Sequence, residues 1–213
     1  MAPPTATSVQ LYTREYFDYL NPDPSVITLD VIARGLDVPR FNNQTTRPIT
    51  VREHSLRVDR IARVLGATGP WPLLHDAHEA LVPWGDCLRP GKTQEMRDVE
   101  SAVDAAIIHA LGLDYAPFVY EHAAIVETSD VDGYEAVQVC NFGTVGGDLE
   151  IVKTADAIAL YFEAMLWLPG GGDWAPSVWP DAVEMDTDAF LPLIAPRPGE
   201  CWRNEVESRL GKR

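Results

Sequence analysis

The residues of this chain whose types and spacing suit chemistry lie in three short stretches. Pro72-Leu73-Leu74-His75-Asp76-Ala77-His78-Glu79-Ala80 sets an imidazole beside a carboxylate, with Glu79 four residues after His75. Thr50-Val51-Arg52-Glu53-His54-Ser55-Leu56 lies upstream, and Ile151-Val152-Lys153-Thr154-Ala155-Asp156 far downstream. His54, His75, Asp76 and Asp156 together make a mixed nitrogen and oxygen ligand set for one divalent metal. Such a set suits Mn, Fe, Co or Zn, with no thiolate to insist on Zn or Cu. Four protein ligands on an octahedral ion leave positions for water and a substrate oxygen, where the metal activates the one and polarises the other. Glu79 is the group to take up or give a proton there.

These residues need helices to carry them. Thr50 and Glu53 have capping-box spacing, and Val51, Val58, Ile61, Ala62 and Leu65 share one face of a helix over 50–65 with His54, while Glu53, Arg57 and Arg60 point away. Alone, an interior histidine of this kind is more often a hydrogen-bonded core residue than a ligand. Pro70 and Pro72 start a second helix running to about Val82, packed through Leu73, Leu74, Ala77 and Leu81. On it His75 and Glu79 stand one above the other, and Asp76 lies about 100° round. Asp148 caps a third helix, 149 to about 168, whose apolar row of Leu149, Val152, Ala159 and Leu160 also carries Asp156. A carboxylate on such a row is paired, capping or metal-bound, because the unpaired case is costly.

The rest of the chain reads as helices and breakers. Thr28 caps a helix to Leu36, Thr93 a longer one to Leu111, further helices are expected over 117–129 and 200–210, and 134–140 reads as a short helix or a turn. Residues 39–44, 83–90, 141–147 and 168–180 read as loops, the last with tryptophans suited to an oligomer contact. No repeat and no strong period-two strand is evident. The expected fold is all-α, a single bundle of about eight helices: a flexible tail over 1–11, the body over 12–168, and a Pro/Gly/Trp-rich loop with a C-terminal helix over 169–213.

Composition narrows the function. At 213 residues, 46% hydrophobic and 23% charged, the chain can bury a sizeable core. A net charge of −15 repels duplex nucleic acid and anionic lipid, so stable nucleic-acid binding and membrane association are not expected. An anionic substrate would need a metal or local cations; Arg40, Arg47, Arg52, Lys92 and Lys153 lie near the three stretches, though each reads equally as a solvated surface charge. Cys87, Cys140 and Cys201 form no CxxC pair and read as reduced thiols. No apolar run approaches the roughly 20 residues of a membrane span, and Met1-Ala2-Pro3-Pro4 lacks the order of a signal peptide, so a cytoplasmic protein is expected.

Val51-x-Glu53-His54-Ser55-Leu56, Leu74-His75-Asp76-Ala77-x-Glu79 and Val152-Lys153-x-Ala155-Asp156-Ala157 resemble the motifs of the HD-domain metal phosphohydrolases. Within them the chain is similar to bacterial 5'-deoxynucleotidases and, through Leu20-Asn21-Pro22-Asp23-Pro24 and Arg40-Phe41-Asn42-Asn43-Gln44-Thr45, to phage deoxynucleoside triphosphate triphosphohydrolases. The resemblance covers about Tyr12 to Trp167. It implies an HD-domain fold, one divalent transition metal (Co, Mn, Zn or Fe) on His54, His75, Asp76 and Asp156, and Glu79 as acid/base, with a second ion, Mg, brought by a triphosphate. It also implies substrate contacts at Arg40, Phe41, Gln44, Asp86 and Lys92. Two extra residues between Glu79 and Asp86 depart from the family pattern, and Asp130 rivals Asp156 as the last ligand. The implied reaction is hydrolysis of a deoxynucleotide, a dNTP such as dATP giving deoxynucleoside and triphosphate, or a dNMP giving phosphate. The implied assembly is a homo-oligomer, dimer or hexamer, in the host cytoplasm for a phage-encoded enzyme.

Overall fold

The computed structural model describes residues 5–87, 91–113, 145–174 and 187–211. These are mostly helical, with one small antiparallel hairpin of β1 (Ser8–Gln10) and β2 (Tyr16–Asp18). The hairpin corrects the expected flexible tail: Val9 pairs with Phe17, and Phe17 and Leu11 are buried. Strands of three residues offer too few alternations to show a period of two. Residues 88–90 and 114–144 lie outside the description, and with them Asp130, the helix expected over 117–129 and the short helix or turn over 134–140.

Local chemistry sets the helix ends. Helix α1 (Leu29–Gly35) begins where the Thr28 hydroxyl accepts from Val31 N at 3.2 Å. Helix α2 (Val51–Val64) begins where the Thr50 hydroxyl accepts from Glu53 N at 3.3 Å, and Gly66 at φ 103° follows its end. A short α3 (Trp71–Leu74) precedes α4 (Gln94–Leu111), which is capped by Thr93 and closed by Gly112 in the left-handed region. Helix α5 runs Val145–Trp167, beginning three residues before the expected cap at Asp148. Helices α6 (Gly171–Trp174), α7 (Thr187–Ile194) and α8 (Trp202–Arg209) complete the described chain; α6 and α7 stand where no helix was expected.

Helix α2 is the hub, packed on α3, α5, α7 and α8. Its Val51, Val58, Ile61 and Ala62 are fully buried against Val152, Ala155, Ala159 and Phe162 of α5, within one core cluster. This packing also corrects the reading of its polar face. Arg57 and Arg60 do not point to solvent; both are buried, because α7 and α8 cover that side of α2. Arg57 Nε donates to the Ile194 carbonyl at 3.2 Å, and Arg60 pairs with Glu200.

The second expected helix, to Val82, is broken. Helix α3 stops at His75, Asp76 takes the non-helical pair φ −111°, ψ 19°, and Ala77–Ala80 form a 3-10 turn. That turn is clamped between α1 and α4. On the α1 side the approach is so close that a Cβ on Gly35 would stand 2.5 Å from both Cβ and O of Ala80. Gly35→Ala must therefore push backbone aside at the residue next to Glu79, and we expect a loss of about 1–3 kcal/mol. A urea-denaturation midpoint equal to wild type would contradict this packing. Among the described residues no helix is long and apolar enough to cross a membrane.

Candidate metal centre

His54 projects from α2 towards α5, where Asp156 and Glu163 stand seven residues apart, two turns along one face. The imidazole bridges them. Nε2 lies 3.0 Å from Asp156 Oδ1 and Nδ1 lies 3.0 Å from Glu163 Oε1. Nε2 also lies 3.6 Å from Asp76 Oδ2. The break at residue 76 brings in the other pair. His75 Nδ1 donates to the Pro72 carbonyl at 2.9 Å, so its Nε2 turns inward, 3.1 Å from Asp76 Oδ2 and without a hydrogen bond. The two rings lie 5.3 Å apart, centroid to centroid.

Two donors at about 2.0–2.2 Å from one ion stand roughly 3–4.4 Å from each other. The separations of 3.0, 3.1 and 3.6 Å meet that requirement. So does the chemistry: in both histidines an acceptor takes Nδ1–H and aims Nε2 at the carboxylates, the usual arrangement behind a ligating imidazole. His54, His75 and Asp76 form a buried group able to hold a metal ion, and Asp156 adjoins it.

Glu163, which the sequence reading passed over, is the anchor of this arrangement. It is fully buried and accepts from His54 Nδ1, from Arg40 Nε at 3.0 Å and from Arg57 Nη1 at 2.9 Å. Burial opposes its charge, but His54, Arg40 and Arg57 outweigh burial and hold its carboxyl far below the usual range. Its signal was present: a lone acid in the apolar run Ile158–Leu168, two turns after Asp156.

Arg40 reaches the centre from a strained turn. Phe41, Asn42 and Asn43 all have positive φ (53°, 50° and 60°), uncommon for asparagine and costly for phenylalanine. The turn is held by Arg40 on Glu163, by Arg40 N on the Ile49 carbonyl at 2.9 Å, and by Phe41 N on Asp86 Oδ2 at 3.2 Å. The Arg40 guanidinium also lies 3.7 Å from Asp76 and 3.9 Å from Asp86.

Glu79 is 3% exposed and its Oε2 has no hydrogen-bond partner. Burial first, then the neighbouring carboxylates Asp76 and Asp86, push its pKa up to about 8. A carboxyl in that state is protonated near neutrality and serves as an acid. Around His54, burial and Arg40 oppose a charge, but Glu163 and the hydrogen bonds to Asp156 and Glu163 prevail and raise its pKa to about 9. At pH 7 a cation must therefore displace the His54 proton. Cation affinity is expected to rise about tenfold per pH unit across neutrality and to level off above about 9. Calorimetry in buffers of different ionisation enthalpy counts that proton; ion uptake at pH 7 with no proton released would contradict the role of His54.

The structure thus brings His54, His75, Asp76, Asp156, Glu79 and Arg40 together. Asp86 joins them as the anchor of the Arg40 turn. Phe41 is buried in that turn, and Gln44 is exposed and bonds back to the Asn42 carbonyl. Lys92 is committed to Glu100 at 2.9 Å, and Glu100 also accepts from Trp84 Nε1 at 3.0 Å. A further pair missed from the sequence is His78 with Asp104, Nδ1 to Oδ1 at 3.0 Å. A groove of about 270 Å³ lined by Asn42, Trp84, Asp86, Cys87 and Gly91 borders the Arg40 turn. A larger cavity of about 510 Å³, around Arg34, Arg52 and Trp202, shares no residue with the centre. No protein-family model and no curated protein matches the chain, so its chemistry has to be argued from this geometry.

Proposed function

We propose that this chain is a metal-dependent phosphohydrolase of the HD-domain type. Its substrate would be a deoxynucleotide, in the first place a deoxynucleoside triphosphate such as dATP, in phage nucleotide-pool control. The observation that carries the reading is the convergence of His54 and Asp156 on the His75-Asp76 pair, with a proton-holding Glu79 beside them. The motif resemblance supports the same reading. A divalent ion on these residues supplies Lewis acidity at a phosphoryl oxygen and makes water nucleophilic near neutral pH.

The chain's own groups do the rest. Water would add to the α-phosphorus, the bond from phosphorus to the 5' oxygen would break, that oxygen would take the proton held by Glu79, and the proton shed by the water would restore Glu79. Deoxynucleoside and triphosphate are the products. The ion pair to Glu163 fixes the Arg40 guanidinium at the rim of Asp76, where a phosphate oxygen can meet it. The groove beside Asp86 and Trp84 suits the sugar and base.

One observation favours a second reading, a 5'-deoxynucleotidase acting on dNMPs. Among the described residues the cations near the centre, Arg40 and Lys92, are already ion-paired, which suits a shorter anion than a triphosphate. A homo-oligomer, dimer or hexamer, goes with either reading. An assay with Mn or Co against every dNTP and dNMP, resolving triphosphate from orthophosphate, decides between them. Release of triphosphate from dATP is expected. Release of orthophosphate from dNMPs alone selects the second reading, and turnover of no deoxynucleotide overturns both.

A further inference from the structure

The larger cavity, of about 510 Å³, has no part in the reaction above, and its size is that of a small-molecule site. Four parts of the chain wall it: the hairpin turn at Tyr12, α1 through Asp30 and Arg34, the first turn of α2 through Arg52, and the start of α8 with Glu200 before it and Arg203 within it. The whole chain has 17 lysines and arginines against 32 acids, yet this lining has three arginines against two acids.

The two acids are already neutralised. Asp30 pairs with Arg203, and Glu200 Oε2 lies 2.6 Å from Arg60 Nη1. Two donors are not used up. Among the described residues Arg34 has no carboxylate partner; its guanidinium lies over the Tyr12 ring, 4.7 Å from the centroid. Arg52 donates through Nη2 to the Ala33 carbonyl and to Asp37, but its Nε is buried without a hydrogen bond, which is costly. Asp37 is 63% exposed at its side chain, and a pair so open to water is weak enough for a more highly charged anion to displace. No side chain caps α8, so its first N–H groups stand open to an acceptor at the same wall.

We propose that this cavity is a second ligand site, for a small molecule that carries both a phosphate group and a flat ring, as a nucleotide does. The guanidinium forks of Arg34 and Arg52 match the oxygens of a phosphate, with Arg203 beside them. Tyr12 is 51% exposed and carries Arg34 over one face, which leaves ring surface for a second flat group to stack on. The site shares no residue with the metal centre, so the proposal does not rest on the reading of that centre.

The test is calorimetric titration of the full chain with AMP in EDTA, where the metal centre cannot contribute an ion, with hydrogen–deuterium exchange to locate the ligand. AMP should bind and slow exchange over α1 and the start of α8. Arg34→Gln should weaken AMP about 10–100-fold, the worth of a charge-assisted hydrogen bond, and should leave turnover of metal-loaded enzyme unchanged. Tyr12→Ala should weaken AMP about 5–100-fold, the worth of a stacked base, and should leave ribose 5-phosphate, which has no flat ring, as it was. Both side chains are exposed, so both variants should fold. AMP binding equal in wild type and Arg34→Gln, protection confined to the residues round Asp76 and Asp86, or no binding of AMP overturns the site. AMP binding no tighter than ribose 5-phosphate overturns the stacking on Tyr12.

Discussion

Glu79→Gln is expected to lower kcat by about 10²–10⁴-fold, the usual worth of a positioned acid or base, while the ion on His54, His75, Asp76 and Asp156 stays bound. The side chain is 3% exposed, and its pKa of about 8 comes from burial and from the charges of Asp76 and Asp86. Glutamine keeps its length and shape but can neither give nor take the proton. The loss should fall on kcat rather than KM, because Glu79 is assigned to the leaving oxygen and not to holding substrate. Turnover equal to wild type, with metal still present, would remove Glu79 from the chemistry.

Glu163→Ala is expected to cost about 3–5 kcal/mol of stability, the range for stripping one partner from a buried ion pair, and about 10–100-fold in affinity for the ion. Three donors lose their acceptor at once: His54 Nδ1, Arg40 Nε and Arg57 Nη1. The guanidiniums are left charged in the core, and the His54 ring loses the bond that turns its Nε2 to the centre. The same group makes the wild type sensitive to acid. Because its folded pKa is depressed, its contribution is fully present above its ordinary value of 4.5 and is lost as pH falls through the lower folded value. Denaturant titrations of wild type and variant between neutral and acid pH measure both effects. A variant as stable as wild type at neutral pH would contradict the anchoring role.

What the sequence revealed depended on how local the cause was. Caps at Thr28, Thr50 and Thr93 and the apolar row Val51, Val58, Ile61 and Ala62 of α2 follow from residues within a few positions, and they stand as expected. The interior placement of His54 and Asp156 follows from helical period, which is why two distant candidate ligands could be named. The break at Asp76 was hidden because Leu73, Leu74, Ala77 and Leu81 fit an unbroken helix; its cause is tertiary, the clamp of α1 and α4 on residues 77–80. Arg57 was misread for the same kind of reason, since nothing local to α2 tells that α7 and α8 will cover it. His78 and Asp104 were legible only in part: Asp104 shares the buried stripe of Glu100, Val103 and Ile107, but its partner lies 26 residues away. Lys92 was placed near the centre, but its commitment to Glu100 requires the fold of the loop that carries it.

The most direct test is anomalous diffraction from crystals grown with Co²⁺ or Mn²⁺, collected at the absorption edge of the metal. The account requires a strong peak within bonding distance of His54 Nε2, His75 Nε2 and carboxylate oxygens of Asp76 and Asp156. A map with no peak there, or with the metal bound only elsewhere on the acidic surface, would contradict it.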